Sequence, residues 1–490
     1  MVRVNGQLLA KLLCLATTCL GSFVGGLFYS FALFAADLKD VEHYNQKQIN
    51  LIGAICYVGA EALQWPVGIL IERYGARKMA IVFSFFPIVG YTVAYVCVVY
   101  ARASLLPLMA MAWAVVGLGV ASFFMPSFMI LRSWYRPEHK ERLSGLLMVI
   151  YAVAGMVGAV VYGEIDADKK SKLEYFILSL AVSSAVCFLL NFPFLREAPS
   201  KGYHSINEDT SLLAAKQKHA KEEEELSHHE KPKASARQVF GSLWNVIRSL
   251  VVDPFFWLMF FALFVNYGTA VNFYNNAGSI ALSVHGEDSD ASRIILVFSA
   301  AQLVGRLLFS FLASINLLDP RNKVKIEDLT LQQQQKRANV AAMWRTVLLL
   351  VSSGILTLES FLAAFISYDV KLLYVFVSLN GLGYGGQWSM LPGVADPEVM
   401  FPGKHLSEPQ LWGVILLAPA FGPLLFDLMS GSLYDKHTEP NSDNCYGHKC
   451  YAQYFLIAGL VLAATMLANV VCMALVALRM RKARRTPVYL

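Results

Sequence analysis

Charged residues are scarce in this chain. Asp, Glu, Lys and Arg make up 16% of its 490 residues, and hydrophobic residues make up 56%. Soluble domains carry about 25% charged residues, so this composition excludes an ordinary soluble protein. Apolar stretches that reach the roughly 20 residues needed to cross a bilayer recur along the whole sequence. The sequence therefore predicts a protein that crosses the membrane many times.

Motifs for catalysis and nucleotide binding are also missing. The sequence contains no P-loop, HExxH or GxSxG pattern, which disfavours both ATP-driven transport and enzymatic catalysis. We therefore predict that the protein is not an enzyme and has no cofactor or metal. The net charge of +6 is explained by membrane orientation, so no nucleic-acid partner is expected.

Cysteine is sparse, and its distribution argues against a disulfide scaffold. Cys445 and Cys450 share one short loop, so they could form a local disulfide if that loop faces an oxidising space. Two free thiols are the alternative, and the absence of a suitable His pattern argues against zinc. The other six of the eight cysteines fall in apolar stretches, where they act as small hydrophobic residues: Cys14, Cys19, Cys56, Cys97, Cys187 and Cys472.

Twelve apolar stretches predict an all-α membrane protein. Segments that would share a side with the N-terminus carry many more Lys and Arg residues than the other short segments, which places both termini in the cytoplasm. No cleavable signal peptide is expected, because the first apolar run is long enough to be a membrane helix. The predicted spans lie near 12–35, 49–71, 79–100, 105–131, 143–162, 173–194, 255–282, 292–315, 340–365, 370–391, 410–433 and 454–478.

One long polar segment, 195–254, divides the spans into two sets of six, which is typical of an internal repeat. We therefore expect an N-terminal bundle over 1–194, a cytoplasmic linker over 195–254, a C-terminal bundle over 255–478 and a basic cytoplasmic tail over 479–490. The charged composition of the linker favours a solvated segment. It also holds three histidines that could bind metal, although the solvated linker is preferred: His219, His228 and His229.

The segment 68–78, between the second and third stretches, reads Gly-Ile-Leu-Ile-Glu-Arg-Tyr-Gly-Ala-Arg-Lys. It resembles the inner-loop signature of the major facilitator superfamily, with Glu72 in place of the usual Asp. The first glycine would permit close helix approach, and Gly75 would allow a turn with positive φ. A carboxylate beside two arginines could form a charge-assisted contact that breaks when two halves rock. The residues expected to act in gating are Gly68, Glu72, Arg73, Gly75 and Arg77.

Shorter patterns extend the resemblance over nearly the whole chain. In order, they look like the nodulin-like branch of the superfamily, which is similar to the oxalate/formate and monocarboxylate carriers. The resemblance implies two six-helix bundles around a central site that opens alternately to the two sides of the membrane. It does not specify the substrate, because a fold does not define a function. The patterns begin at Phe31, Asn275, Gly305, Gly383 and Gly431.

Arg306 is the strongest candidate for a substrate contact. It lies in the middle of the eighth stretch, where an unpaired charge is costly, and its planar fork can hold a carboxylate through two hydrogen bonds. Monocarboxylate carriers show Asp-x-x-x-Arg in this helix, whereas the pair here is Gln302 and Arg306. The missing acid weakens the case for proton coupling through this pair. A permanent salt bridge to Glu61, Glu359 or Asp427 is the structural alternative.

Amide and aromatic residues in the seventh and tenth stretches are the other candidates for substrate contacts. Such groups are costly against lipid and should face a cavity or another helix. Hydrogen bonding between helices is the alternative role. The candidates are Tyr267, Asn272, Asn276, Asn380, Gln387 and Trp388, and Asn266 is a further amide of the same kind.

Glu61 and Asp427 are the candidates for proton coupling. Glu61 lies mid-span on a polar and aromatic helix face, and burial favours the protonated form of a carboxyl group. A purely structural role between two bundles fits equally well. Asp427 is a weaker case of the same kind, and Glu359 is expected to reach the outer interface from the end of the ninth stretch.

Together these features predict a secondary transporter of a small organic anion, a monocarboxylate such as pyruvate, with or without proton symport. The expected partners are the substrate, protons and the lipid bilayer, and the chain is expected to be monomeric. The plasma membrane is the expected location, with an organelle membrane as the alternative. Transport of an amino acid or another polar metabolite is one alternative function. A non-transporting sensor that signals through the 195–254 linker is another.

Overall fold

The computed structural model describes most of the chain outside the predicted linker. Within the described part, all regular structure is helical and there is no strand. Most of the linker, its three histidines and the last residues of the basic tail lie outside the described residues. The described ranges are 6–100, 105–135, 140–198, 248–284, 288–315, 331–366, 369–402, 408–439 and 444–485.

The described helices form twelve successive membrane-crossing segments, numbered span 1 to span 12. Four of these contain two α-helices, and the predicted order of twelve is confirmed. In chain order the spans are Gly6–Gly26 with Phe31–Glu42; Gln46–Tyr57 with Gln64–Tyr74; Ala76–Tyr100; Leu106–Ser133; Lys140–Glu164; Lys169–Phe194; Pro254–Asn275 with Ala277–Ser283; Asp288–Ile315; Leu331–Phe365; Val370–Val394; Glu408–Ile415 with Leu417–His437; and Lys449–Arg485.

Span 10 is less apolar than the other spans. It is absent from the ten described spans that are long and apolar enough to cross a membrane by composition alone, and it carries Asn380 and Gln387, both buried in protein. Polar residues at membrane depth need partners inside the protein, so the low hydropathy of span 10 marks a helix whose polar groups face other helices. Span 2 is absent from the same set, and a π-helical turn, Val58–Ala62, divides it into helices of 12 and 11 residues.

The twelve spans pack as two six-helix bundles. Span 3 packs on spans 4 and 6 in the N-terminal bundle, and span 8 packs on span 10 and span 9 on span 12 in the C-terminal bundle. The bundles meet mainly along two helix pairs, span 2 with span 11 and span 5 with span 8. An even number of spans puts both chain ends on one face of the molecule, the terminal face. The other face is called the opposite face.

Two glycines bring span 10 close enough to span 8 to fix the backbone around Arg306. A Cβ atom at Gly385 would lie 2.2 Å from the Gln302 backbone oxygen, and one at Gly305 would lie 2.4 Å from the Leu382 backbone oxygen. Both distances are too short for any side chain, and small residues at such positions are typical of close helix pairs in membranes. Arg306 therefore projects from a helix whose position span 10 determines.

Candidate functional site

A cavity lies between the two bundles, lined by residues of both. Spans 1, 2, 4 and 5 of the N-terminal bundle supply most of its lining, and spans 8, 10 and 11 of the C-terminal bundle supply the rest. The polar and charged lining residues are Glu61, Gln64 and Arg306. The aromatic ones are Phe28, Tyr29, Phe124, Tyr151, Trp388 and Trp412.

Arg306 enters this cavity from span 8 and is only 2% exposed. Its Nη1 donates a hydrogen bond to the Met148 backbone oxygen of span 5 at 2.6 Å, so the contact joins the two bundles. The guanidinium carbon lies 5.9 Å from the centre of the Trp388 ring. Its Nε has no hydrogen-bond partner among the described residues. A neutral carbonyl and an aromatic ring thus orient the guanidinium, and the permanent salt bridge to Glu61, Glu359 or Asp427 is not formed within the described part of the chain.

Glu61 lines the same cavity from the π-helical turn of span 2. Glu61 is 6% exposed. The neighbouring amide of Gln64 donates to the Ala60 backbone oxygen at 2.8 Å, and no hydrogen bond or ion pair links the Glu61 carboxyl group to another described residue. A π-helical turn inside an α-helix is rare and is frequent at functional sites. The cavity therefore holds one carboxyl group and one guanidinium that are not paired with each other.

Edge-to-face contacts hold the aromatic wall of the cavity. Trp388 lies edge-on to Tyr267 at 5.1 Å between ring centres, and Tyr267 packs in the same way on Tyr384 at 5.9 Å. The hydroxyl groups of Tyr29 and Tyr384 lie 3.3 Å apart, across the two bundles. Such ring pairs are favourable beyond the area they bury. Of the predicted substrate contacts in this wall, Trp388 lines the cavity and Tyr267 supports it from behind.

Asp427 lies in a different polar cluster. It is fully buried in span 11, where Oδ1 accepts a hydrogen bond from Asn272 Nδ2 at 2.7 Å and Oδ2 accepts one from Asn275 Nδ2 at 2.8 Å. The Asp427 backbone oxygen accepts a third bond from Asn50 Nδ2 of span 2 at 2.9 Å. Amide donors thus satisfy the carboxylate directly, without a cation among the described residues.

This cluster continues towards the opposite face and joins the bundles. Gln46 Nε2 of span 2 donates to the Oδ1 atoms of Asn50 and Asn276, both at 3.0 Å. Asn276 Nδ2 donates in turn to the Asn272 backbone oxygen at 2.9 Å. Asn272 and Asn276, predicted as substrate contacts, therefore hold helices together and do not line the cavity. We call this cluster the polar latch; it consists of Gln46, Asn50, Asn272, Asn275, Asn276 and Asp427.

A loop between spans 11 and 12 covers the latch on the opposite face. A disulfide joins Cys445 of this loop to Cys450 in the first turn of span 12. The Gly447 backbone nitrogen donates to the Ser283 backbone oxygen at 2.7 Å. Lys39 Nζ, at the end of span 1, donates to Asn444 Oδ1 at 3.0 Å. The loop is thus a second bridge between the two bundles on the side of the latch.

Two more predicted substrate contacts lie inside the C-terminal bundle. Ser353 Oγ accepts hydrogen bonds from Asn266 Nδ2 at 2.9 Å, Asn469 Nδ2 at 3.1 Å and Gln387 Nε2 at 3.4 Å. Spans 7, 9, 10 and 12 meet at this hydroxyl group. Gln387 therefore faces a helix junction and not the cavity. Asn266 forms hydrogen bonds between helices, which is the alternative role that the sequence allowed for these amides.

Glu359 and Asn380 form another internal contact of the same bundle. Glu359 is 1% exposed, and its Oε2 accepts from Asn380 Nδ2 and Ser360 Oγ, each at 3.2 Å. The prediction that Glu359 reaches the outer interface is wrong, because the residue is buried between helices, where span 10 supplies an amide donor to Oε2. The other carboxyl oxygen, Oε1, has no partner among the described residues. Gln302, predicted to act beside Arg306, is buried one turn away in span 8, and its Nε2 has no partner among the described residues.

The predicted gating motif forms a turn at the terminal face. Gly75 ends span 2 with φ +88°, a conformation that favours glycine, and its backbone nitrogen donates to the Ile71 oxygen at 2.9 Å. Gly68 lies inside the helix Gln64–Tyr74. The side chain of Glu72 lies outside the described residues, so its contact with the motif arginines stays a prediction.

The motif arginines attach this turn to neighbouring groups. Arg77 Nε donates to the Leu195 backbone oxygen at 3.0 Å, and its Nη2 donates to the Phe192 oxygen at 3.4 Å. Arg73 stacks on the Tyr74 ring, with 5.4 Å from the guanidinium carbon to the ring centre. Arg77 thus connects the start of span 3 with the end of span 6, inside one bundle.

Comparison with known sequences identifies the family. The sequence profile of the Major Facilitator Superfamily matches residues 13–399. The chain belongs to this superfamily. It is similar to proteins named "Probable transporter MCH1" from Wickerhamomyces anomalus, at 23% identity over 89% of this chain and 83% of the relative, and from Debaryomyces hansenii, at 22% identity over 88% and 86%.

Solved structures show the same fold at low identity. The nucleoside transporter NupG aligns with a TM-score of 0.59 and 10% identity, over 94% of this chain and 99% of that one. A D-xylose–proton symporter aligns with a TM-score of 0.58 and 12% identity, over 94% and 97%. As a major facilitator protein, this chain is a multi-pass membrane transporter and not an enzyme.

Proposed function

We propose that this transporter moves a small organic anion, with monocarboxylates such as pyruvate as the simplest candidates. The observation that carries the proposal is Arg306, a buried cation in the central cavity without a carboxylate partner among the described residues. A buried charge is costly unless it is paired. A substrate carboxylate can supply the missing charge and use the planar donor fork.

Alternating access would use the two contact regions between the bundles. The polar latch and the Lys39–Asn444 bridge close the opposite face, while the Arg306–Met148 bond lies on the path towards the terminal face. Rocking of rigid bundles around a fixed site would break one set of contacts while the other forms. A carboxylate bound at Arg306 would compete with Met148 and so affect the contact between spans 5 and 8.

Glu61 is our proposed carrier of a coupled proton. It lines the substrate cavity and has no cationic partner among the described residues. A carboxyl group in this position can bind a proton in the closed cavity and release it when the cavity opens to water. Asp427, the second proton candidate, is bound by amides in the latch, so we assign it to closure of the opposite face.

A zwitterionic amino acid is the second candidate substrate. It is favoured by one observation, the presence of both Arg306 and Glu61 in one cavity without a bond between them. A carboxylate and an ammonium group could bind the two side chains at once. The sensor alternative rests on the linker, and most of that segment lies outside the described residues.

The plasma membrane is the proposed location, and a monomer is the proposed state. Support for the location comes from the disulfide of Cys445 and Cys450 on the face opposite the chain ends. Disulfides persist in oxidising surroundings such as the cell exterior. Both termini would then be cytoplasmic, as the Lys and Arg distribution predicts.

Counterflow in proteoliposomes tests the proposal. Vesicles that contain the purified chain and a high internal concentration of pyruvate should take up labelled pyruvate transiently. Vesicles loaded with alanine should not take up labelled alanine. If counterflow is seen with alanine and not with pyruvate, the substrate is an amino acid and not an organic anion. Saturable binding without any flux of either compound would favour the sensor.

A further inference from the structure

The lining of the cavity is unusual for a site that would hold a very small acid. Six aromatic side chains surround one guanidinium and one carboxyl group. A three-carbon acid bound at Arg306 has no apolar body to pack on these rings, so it would not gain the hydrophobic contribution that they can make to binding.

Part of the aromatic lining stands next to the group that anchors Arg306. Met148, whose backbone oxygen binds the guanidinium, lies three residues before Tyr151 on the same helix face of span 5. Tyr151 packs edge-to-face on Phe124 at 6.3 Å and on Tyr29 at 5.7 Å between ring centres. A carboxylate held by Arg306 would thus have an aromatic pocket within one helical turn of it.

We infer that the preferred substrate is an aromatic monocarboxylate, whose carboxylate binds Arg306 and whose ring packs among Tyr29, Phe124 and Tyr151. This inference rests on the proposed function, because it keeps Arg306 as the anion site. It adds a specificity: the aromatic lining selects for a planar apolar body and discriminates against small acids. Offset and edge-to-face ring contacts give such a body a defined orientation.

Pyruvate and phenylpyruvate form a matched pair of probes, because they carry the same 2-oxo acid group and differ by a phenyl ring. Their affinities for the purified full chain in detergent or nanodiscs can be measured by calorimetry. We expect phenylpyruvate to bind at least tenfold more tightly than pyruvate. In counterflow, phenylpyruvate should also inhibit pyruvate uptake at a concentration at least tenfold lower than unlabelled pyruvate does.

A matched pair of variants shows whether the aromatic lining causes the preference. Phe124→Leu removes a ring from the cavity, and Phe421→Leu makes the same change at an exposed position of span 11. Phe124→Leu should weaken phenylpyruvate binding about fivefold more than it weakens pyruvate binding. Phe421→Leu should change neither affinity.

The outcomes separate this inference from the proposed function. If pyruvate binds as tightly as phenylpyruvate, or if Phe124→Leu weakens both acids equally, the aromatic preference is wrong and the organic-anion assignment stands. If the folded protein binds neither acid, both proposals are wrong. A tenfold preference that Phe124→Leu reduces and Phe421→Leu preserves supports the aromatic monocarboxylate.

Discussion

The buried charges of this transporter fall into two regions that differ in how they are satisfied. Arg306 and Glu61 line the central cavity, and the carboxyl and guanidinium groups of the described residues do not pair with them. Asp427 and Glu359 do not line the cavity, and each carboxyl group accepts hydrogen bonds from at least one asparagine. All four residues are buried, with at most 6% of each exposed, so burial alone does not distinguish the two regions.

The difference indicates two roles for charge inside a membrane. A carboxyl group that amides from neighbouring helices satisfy can hold those helices together, and its contribution is structural. A charge that faces a cavity without a counter-charge stays costly until a ligand or a proton neutralises it. We therefore assign transport chemistry to the cavity pair and closure of the opposite face to the polar latch.

The largest effect should come from the guanidinium in the cavity. Arg306→Lys keeps the charge but loses the planar fork, so exchange of the organic anion in proteoliposomes should fall by at least tenfold, about 1.4 kcal/mol. Arg479→Lys is the matched control, because Arg479 also donates to a backbone oxygen, that of Met400 at 2.9 Å, and packs on an aromatic ring, that of Phe255. Equal loss of exchange in both variants would show that Arg306 only supports the fold.

A change in the polar latch is expected to have a comparable effect on stability and on closure of the opposite face, and not on substrate binding. Asp427→Leu leaves the side-chain amides of Asn272 and Asn275 without their acceptor, and a buried donor without a partner costs about 1–3 kcal/mol. The variant should unfold at a lower temperature. A cysteine introduced by Ser279→Cys beside Gln46, where Ser279 Oγ now donates at 3.1 Å, should then react several-fold faster with a membrane-impermeant thiol reagent.

Asp427→Asn should give an intermediate result, because its carbonyl oxygen still accepts one of the two amide bonds. If Asp427→Leu changes neither the unfolding temperature nor the rate of cysteine labelling, the polar latch does not close the opposite face.

A narrower effect is expected for the two buried glutamates. Glu61→Gln keeps the shape but cannot titrate, so it should abolish accumulation driven by a pH gradient and leave substrate exchange within about twofold of wild type. Glu359→Gln makes the same change inside the C-terminal bundle, away from the cavity, where Asn380 and Ser360 donate to Oε2, and should leave both activities near wild type. Uptake assays with and without a pH gradient measure both variants. If Glu61→Gln still accumulates substrate, the glutamate has no role in proton coupling.

The smallest effect should follow loss of the disulfide in the loop that covers the latch. A bond that closes so short a loop is worth about 2 kcal/mol at most in the chain-entropy view. The double variant Cys445→Ser/Cys450→Ser should therefore unfold a few degrees lower and retain exchange activity. Treating the wild type with a reductant should produce the same shift in the unfolding temperature, measured by a thermal-shift assay. If only the double variant or only the reductant lowers the unfolding temperature, the shift does not come from loss of the disulfide itself.

Much of the fold can be predicted from the sequence because lipid imposes a local rule. Each span needs a run of apolar residues, and that run is visible without knowledge of the partner helices. The signature at 68–78 adds the family, and Gly75 has the positive φ that the motif needs. Arg306 could be found because a lone cation in an apolar run is rare.

The partners of the polar residues could not be predicted in the same way. Asn276 bonds to Gln46, which is 230 residues away in the sequence, and an amide is satisfied equally well by a substrate or by another helix. Gln387 and Asn380 illustrate the same ambiguity. The aromatic lining was missed because Phe124 and Tyr151 occupy apolar stretches, where a ring that faces a cavity has the same sequence pattern as a ring in the core.

The most direct test of the central claim compares a carboxylate with its neutral amide in two forms of the protein. Calorimetry should show that the wild type binds pyruvate, or phenylpyruvate if that acid is preferred, at least a hundredfold more tightly than the corresponding amide. Arg306→Gln should bind acid and amide within about threefold of each other, because the discrimination requires the guanidinium. If Arg306→Gln still prefers the acid a hundredfold, another group recognises the anion and the assignment of Arg306 is wrong.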